Sequence, residues 1–98
     1  MKYRIKPARQ VLDFVTSLPP QPRRESKQAL AALANWRGDI SPLKKQLEGY
    51  HRLRVDGYRF VFEVKAGMLI EVVFAESRDV VYQIFETMVK AGEVRPLL

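Results

Sequence analysis

LEGYHRLRVDGYRFVFEV, residues 47–64, is the stretch that decides the fold. In it Leu53 alternates with Arg52 and Arg54, the period-two pattern of a strand that has one packed and one open face. Asp56-Gly57 follows, one of the strongest two-residue signals for a β-hairpin, and YRFVFEV continues as the partner strand. The stretch therefore predicts an antiparallel β-hairpin.

Cations crowd this hairpin, because His51, Arg52, Arg54 and Arg59 lie within nine residues. Side chains alternate along a strand, so Arg52 and Arg54 share the face opposite Leu53, while His51 shares the packed face with Leu53. Whether Arg59 joins the other two arginines depends on the register of the hairpin. The basic face is either a solvated surface of weakly coupled charges or a binding surface for an anion.

The N-terminal third predicts a strand followed by two helices. KYRIK alternates like a half-buried strand, and LPPQP marks a corner after which Pro22 occupies the first turn of a second helix. The residues that recur at helical spacing and are expected to face inward on the first helix are Ala8, Val11, Leu12, Val15 and Leu18. Those on the second helix are Leu30, Leu33 and Ala34.

The remaining segments complete an α+β order of β-α-α-β-β-β-α. RGDISP, residues 37–42, is predicted as a loop, LKKQLEG as a short helical turn or coil, and MLIEVVFAE as a further strand. RDVVYQIFETMVKAG predicts a helix that ends near Gly92, with Val81, Ile84, Phe85 and Met88 inward. We expect a small, antiparallel-rich sheet with the N-terminal helical hairpin on one face, and a C-terminal helix.

Composition limits the classes of protein. The 98 residues suit one domain, residues 1–98, and 17 Lys and Arg against 11 Asp and Glu give a net charge of +6, which favours polyanionic partners. No cysteine and one histidine argue against disulfides, a metal site or another cofactor. No apolar run reaches the roughly 18 residues of a membrane span, and MKYRIKPARQ does not resemble a signal peptide, so we expect a cytoplasmic protein.

The element order, the hairpin at residues 47–64 and the ending VVFAESRDVVYQIF together resemble the RelE/ParE superfamily of bacterial toxins. The resemblance covers nearly the whole chain. It implies one of two activities: RelE-like members cut mRNA in the ribosomal A site, and ParE-like members poison DNA gyrase. It also implies partners, namely a cognate antitoxin, acidic and partly disordered, operator DNA bound only through the antitoxin, and mRNA. The free toxin is expected to be monomeric.

RelE-like cleavage implies roles for particular residues. The ribose 2′-OH attacks the adjacent phosphate without a metal, so the site needs a base, cations for the developing charge and an acid for the leaving oxygen. The resemblance gives catalytic roles to Arg59, Arg78 and Tyr82. It gives phosphate binding to Arg52 and Arg54, and we add His51, Lys44 and Lys45 as further RNA-binding candidates.

Three functional interpretations stay open at this stage. The leading one is the mRNA endoribonuclease, and the second is a gyrase inhibitor that cuts nothing. The third is a non-toxic homologue that binds an antitoxin, which Glu76 and Ser77 favour because many superfamily members have basic residues there. His51 and Glu63 are the nearby groups able to accept a proton near neutral pH, and neither matches a defining position of the superfamily.

Overall fold

A computed structural model of the protein describes residues 2–77 and 80–92. The strands are β1 (Arg4–Pro7), β2 (Asp39–Pro42), β3 (Tyr50–Val55), β4 (Tyr58–Lys65) and β5 (Leu69–Ser77), and the helices are α1 (Arg9–Ser17), α2 (Pro20–Leu33) and α3 (Val80–Lys90). A 3-10 turn at Lys45–Leu47 precedes β3. The predicted α+β order is confirmed, with β2 as an added strand.

The strands form one five-stranded mixed sheet in the order β1-β5-β4-β3-β2. Only β1 runs parallel to its neighbour, β5, and the other three pairings are antiparallel. A parallel pairing of these two strands requires a crossover, which the helical hairpin of α1 and α2 begins. The predicted antiparallel-rich sheet is therefore confirmed.

The prediction of a loop at residues 37–42 was wrong, because Asp39–Pro42 is the edge strand β2. Its composition is that of a turn, but an edge strand tolerates proline, and Ile40 packs against the core opposite Leu53. The chain enters β2 through Gly38, which has a φ of +129° and would place a Cβ atom 2.9 Å from the Leu53 Cδ1 atom. A glycine is needed at that position.

The helical hairpin covers one face of the sheet. It buries a first apolar cluster composed of Val11, Val15, Leu33, Leu53, Phe60, Phe62, Ile70, Val72 and Ala75. Leu53 faces the helices as predicted. Leu12 was wrongly placed inward: its exposed fraction is 50 %, and Phe14 packs against the cluster instead.

The corner between the two helices follows from its prolines. α2 begins at Pro20, so Pro20 and Pro22 both lie in the first turn, where a missing N–H group costs no helical hydrogen bond. The Arg23 guanidinium reaches back to donate to the Leu18 carbonyl at 3.0 Å.

The opposite face of the sheet is covered by α3. A second apolar cluster there contains Leu47, Tyr50, Val61, Phe74, Phe85 and Val89, with Met88 packed at its margin. The predicted inward positions Phe85 and Met88 are confirmed, but Ile84 is 37 % exposed. The side chain of Val81 lies outside the described part of the structure. α3 stops near Gly92 as predicted, where φ is +79°.

A β-bulge in β5 shifts the register of the sheet by one residue. Phe62 pairs with Val72 and Val61 pairs with Phe74, so Val73 is the extra residue. Val73 and Phe74 both contact the second apolar cluster, as expected when a bulge places two successive side chains on one face. No helix among the described residues is long and apolar enough to cross a bilayer.

Because α1 buries Val11 and exposes Leu12, we expect substitutions at these adjacent positions to change the free energy of unfolding by different amounts. Val11→Ala should lower the free energy of unfolding by about 2 kcal/mol, because Val11 is fully buried. Leu12→Ala should change it by no more than about 0.5 kcal/mol. Urea unfolding followed by circular dichroism measures both. A larger loss in the Leu12 variant would contradict the observed helix phase.

Candidate functional site

Three charged residues lie side by side on adjacent strands near the β3–β4 turn. Arg54 of β3 is the direct partner of Arg59 of β4, and Arg59 is the direct partner of Glu76 of β5. Directly opposed side chains have Cβ atoms roughly 5 Å apart and point to the same face. We refer to Arg54, Arg59 and Glu76 as the charged row. Its register answers the question left by the sequence: Arg59 does join the other arginines.

Arg59 is the most buried member of the charged row, with 9 % of its surface exposed. Its Nη1 atom donates to the carbonyl oxygen of Asp56 at 2.8 Å and to that of Tyr58 at 3.0 Å. The carbonyls of the turn region therefore orient the guanidinium. The Asp56-Gly57 sequence therefore has two roles: it closes the hairpin, and the Asp56 carbonyl helps to orient the Arg59 guanidinium.

The edge strand β2 holds the other two arginines. Arg52 Nη2 donates to Ser41 Oγ at 2.7 Å and lies 3.6 Å from an Asp39 carboxylate oxygen. Arg54 Nε lies 4.0 Å from the other oxygen of Asp39, and its side chain is 53 % exposed. Sequence reasoning missed this support because residues 37–42 were predicted as a loop. An isoleucine between Asp39 and Ser41 was the available signal for a strand.

Glu76 belongs to the charged row because of the bulge at Val73. The β4–β5 pairing near the turn, Lys65 with Leu69, would place Glu76 opposite Tyr58 if it continued unbroken. Tyr58 faces the helical hairpin, so Glu76 would then lie on the wrong face. The extra residue moves it opposite Arg59. The Glu76 Oε1 atom also accepts a hydrogen bond from the Ser77 amide at 3.1 Å.

A side chain of α1 extends the sheet beside this end of β5. β1 pairs with β5 only as far as Val72, and the chain then turns into α1. Beyond that point the Gln10 side chain makes the hydrogen bonds that a strand backbone would make. Its Nε2 atom donates to the Ala75 carbonyl at 2.6 Å, and the Ala75 amide donates to Gln10 Oε1 at 2.8 Å. The backbone next to Glu76 is therefore fixed by β4 on one side and by the Gln10 side chain on the side that β1 does not reach.

One predicted catalytic residue lies near the start of α3. Tyr82 is in the first turn of the helix, half-buried against the second apolar cluster, which includes Phe74 two residues before Glu76. It lies on the same face of the sheet as the charged row. Arg78 lies outside the described residues.

The predicted lysines lie at the 3-10 turn before β3, at the other end of that strand from the charged row. Lys44 and Lys45 are exposed at the 3-10 turn, whose Leu47 packs into the second apolar cluster under α3. Nothing in the described structure joins them to the arginines, so they are not part of the charged row.

His51 lies on the opposite face. Its ring stacks on Phe62, with centroids 5.3 Å apart, and contacts Trp36 edge-on at 5.5 Å. Burial lowers the pKa of His51 below its ordinary value of 6.5. The structure therefore does not bring His51 together with the arginines, and its surroundings are those of a packing residue, consistent with the alternation in β3.

Glu63 is also remote from the charged row, although it shares its face. It pairs across the strands with Tyr50 and Glu71, and only 6 % of its surface is exposed. Lys65 Nζ lies 3.3 Å from Glu63 and 3.4 Å from Glu71. Burial, followed by the charges of the two glutamates, raises the pKa of Tyr50. This is a structural ion cluster at the far end of the sheet.

The lowered pKa of His51 predicts a loss of stability in acid. The unfolded chain takes up a proton at His51 below about pH 6.5, whereas the folded chain resists it until a lower pH, so the free energy of unfolding should fall through that interval. Urea titrations from about pH 7.5 to about pH 5 measure this. His51→Phe keeps the stack on Phe62 and should show a shallower decline; parallel curves for the two proteins would contradict the prediction.

Comparison with known proteins identifies the fold. No protein-family model and no curated protein sequence matches the chain. A mutant of Escherichia coli toxin RelE in the free state superposes with a TM-score of 0.68 at 19 % identity, covering 93 % of this chain and 98 % of RelE.

Two toxin–antitoxin complexes give similar matches. The archaeal RelE–RelB complex of Pyrococcus horikoshii gives a TM-score of 0.67 at 24 % identity, over 81 % of this chain and 98 % of that chain. The RelBE2 complex of Mycobacterium tuberculosis gives 0.67 at 18 % identity, over 80 % and 100 %. The chain therefore has the fold of the RelE/YoeB/ParE toxins of type II toxin–antitoxin systems.

Proposed function

We propose that this protein is the toxin of a type II toxin–antitoxin system and inhibits translation as a ribosome-dependent mRNA endoribonuclease. The observation that carries the proposal is the shared face of Arg52, Arg54 and Arg59. Arg59 is oriented by backbone carbonyls, and the other two arginines are held by β2. This arrangement on a toxin fold supports binding of an RNA phosphate.

The chemistry that we propose for these arginines is charge stabilisation. When the ribose 2′-OH attacks the adjacent phosphate, negative charge grows on the phosphate oxygens, and oriented guanidinium groups stabilise it more than the ground state. Arginine stays protonated and cannot act as the base. Arg59 is the cation proposed to act in the transition state, and Arg52 and Arg54 bind the substrate phosphates.

The remaining assignments rest on the sequence resemblance. Arg78 would supply a further cation and Tyr82 would position the substrate from the first turn of α3. Lys44 and Lys45 would contact the RNA backbone from the 3-10 turn before β3. No metal or cofactor enters the proposed reaction.

Replacing arginines on this face should slow mRNA cleavage. Arg59→Ala should lower it by at least about 100-fold, because the variant loses the oriented cation. Arg54→Ala should lower it by at least about tenfold; that side chain is half-exposed, so the fold should survive its loss. Primer extension on a reporter mRNA after induction of each chain measures cleavage.

Arg24→Ala is the matched control, since Arg24 is an exposed arginine of α2 on the other side of the sheet. It should cut like the unmodified chain. Cleavage retained in a folded Arg54→Ala or Arg59→Ala variant would contradict the proposed role of the arginine face.

A second candidate function is supported by Glu76. A carboxylate beside Arg59 reduces the positive charge of the row, which favours a non-toxic homologue that mainly binds an antitoxin. Normal growth and intact mRNA on induction would support that function. Growth arrest with intact mRNA and induced DNA-damage signalling would instead support a gyrase inhibitor.

We also propose that an acidic, partly disordered antitoxin neutralises this chain and links it to operator DNA, and that the free chain is monomeric. The net charge of +6 favours an acidic partner, and Leu12 and Ile84 are exposed on two helices. The matched RelE–RelB and RelBE2 structures are complexes of a toxin with its antitoxin.

Antitoxin binding is tested by co-expressing the tagged chain with the product of the neighbouring gene in its operon. We expect a stable complex that elutes as one species, weakens as salt is raised and restores growth. Failure of the neighbouring product to co-purify or to restore growth would contradict this assignment.

A further inference from the structure

The proposed cleavage needs a group that removes the proton of the 2′-OH, and the arginines cannot supply it. The structure separates both earlier candidates from Arg59. His51 stacks on Phe62 and contacts Trp36 edge-on, on the other side of the sheet, and Glu63 is paired with Lys65 at the far end. A different proton acceptor is required among the groups that lie beside Arg59.

We infer that Glu76 is the general base of the cleavage, an inference that rests on the proposed function. Glu76 is the direct cross-strand partner of Arg59 and lies on the same face. It is half-buried and within one strand of the best-oriented cation of the site. Carboxylates are established general bases, and an ionised glutamate needs no further activation to accept a proton.

The spacing of the charged row suits the geometry of the reaction. In a near-attack arrangement the attacking 2′ oxygen lies about 3–3.5 Å from the phosphorus. The Cβ atoms of Arg59 and Glu76 are separated by roughly 5 Å, so the guanidinium can bind the phosphate while the carboxylate contacts the adjacent hydroxyl. Side chains on two adjacent strands can therefore contact the 2′-OH and the adjacent phosphate at the same time.

The surroundings of Glu76 fix its position. The bulge at Val73 places it on the arginine face, and Gln10 holds the backbone of the preceding residue, Ala75. Among the described residues, the hydrogen bond that the Glu76 carboxylate makes is with the Ser77 amide, through Oε1. A carboxylate accepts through two oxygens, so this bond orients the group and still leaves it able to accept a proton.

The proposed reaction is an intramolecular transfer of the phosphoryl group from O5′ to O2′. The Glu76 carboxylate takes the proton of the 2′-OH as the bond from O2′ to phosphorus forms. The bond from phosphorus to O5′ breaks, and O5′ takes a proton from an acid or from water. The products are a 2′,3′-cyclic phosphate and a free 5′-OH, and the glutamic acid then returns its proton to solvent.

Single-turnover cleavage of a synthetic mRNA on programmed ribosomes, with the purified full chain, tests the inference. Glu76→Gln should slow cleavage by at least about 100-fold with unchanged affinity for the ribosome, because the amide keeps the shape of the side chain but is not a base. Glu25→Gln, on the exposed side of α2, is the control and should match the unmodified chain.

Other outcomes overturn the inference in distinguishable ways. A Glu76→Gln variant that cuts at or above the normal rate would show that the carboxylate only opposes phosphate binding. A loss confined to ribosome affinity would assign the proton transfer to another group. If the unmodified chain itself leaves mRNA intact, the proposed cleavage fails, and the inference fails with it.

Discussion

The one-residue bulge at Val73 is the constraint on which the site depends. Side chains alternate between the two faces of a sheet, so inserting one residue into a strand exchanges the faces of every position beyond it. In β5 this exchange places Phe74 under α3 and Glu76 beside Arg59. The same local irregularity therefore completes the second apolar cluster and creates the charged row.

The rest of the fold holds the charged row in a fixed position. Helices cover both faces of the sheet, and the row lies on the α3 face near the β3–β4 turn, beyond Val61 and Phe74. Each member is held by contacts that do not require a ligand: backbone carbonyls for Arg59, Asp39 for Arg54, and the Ser77 amide for Glu76. Such preorganisation matters because a site for a transition state must not reorganise as charge develops.

Local patterns in the sequence predicted most of the architecture, and the errors have a common cause. The Asp56-Gly57 hairpin and the alternation of Leu53 with the arginines depend only on adjacent residues, so they could be predicted. Leu12 and Ile84 lie at plausible helical spacing, but which side of a helix is buried depends on its docking angle. The strand β2 is stabilised by pairing with β3, a tertiary contact that its own composition does not reveal.

The candidate site was predictable only in part, for the same reason. The arginines of β3 follow from alternation, but Arg59 required the hairpin register, and Glu76 required the position of a bulge that no residue type specifies. Read as a linear sequence, Glu76 is a negative charge beside a phosphate site and counts against RNA cleavage. Placed opposite Arg59, the same carboxylate becomes a proton acceptor directly beside the cation that the proposed reaction uses. Its charge still weakens phosphate binding, so a site of this composition would lose part of its affinity for RNA and gain a proton acceptor beside the reacting phosphate.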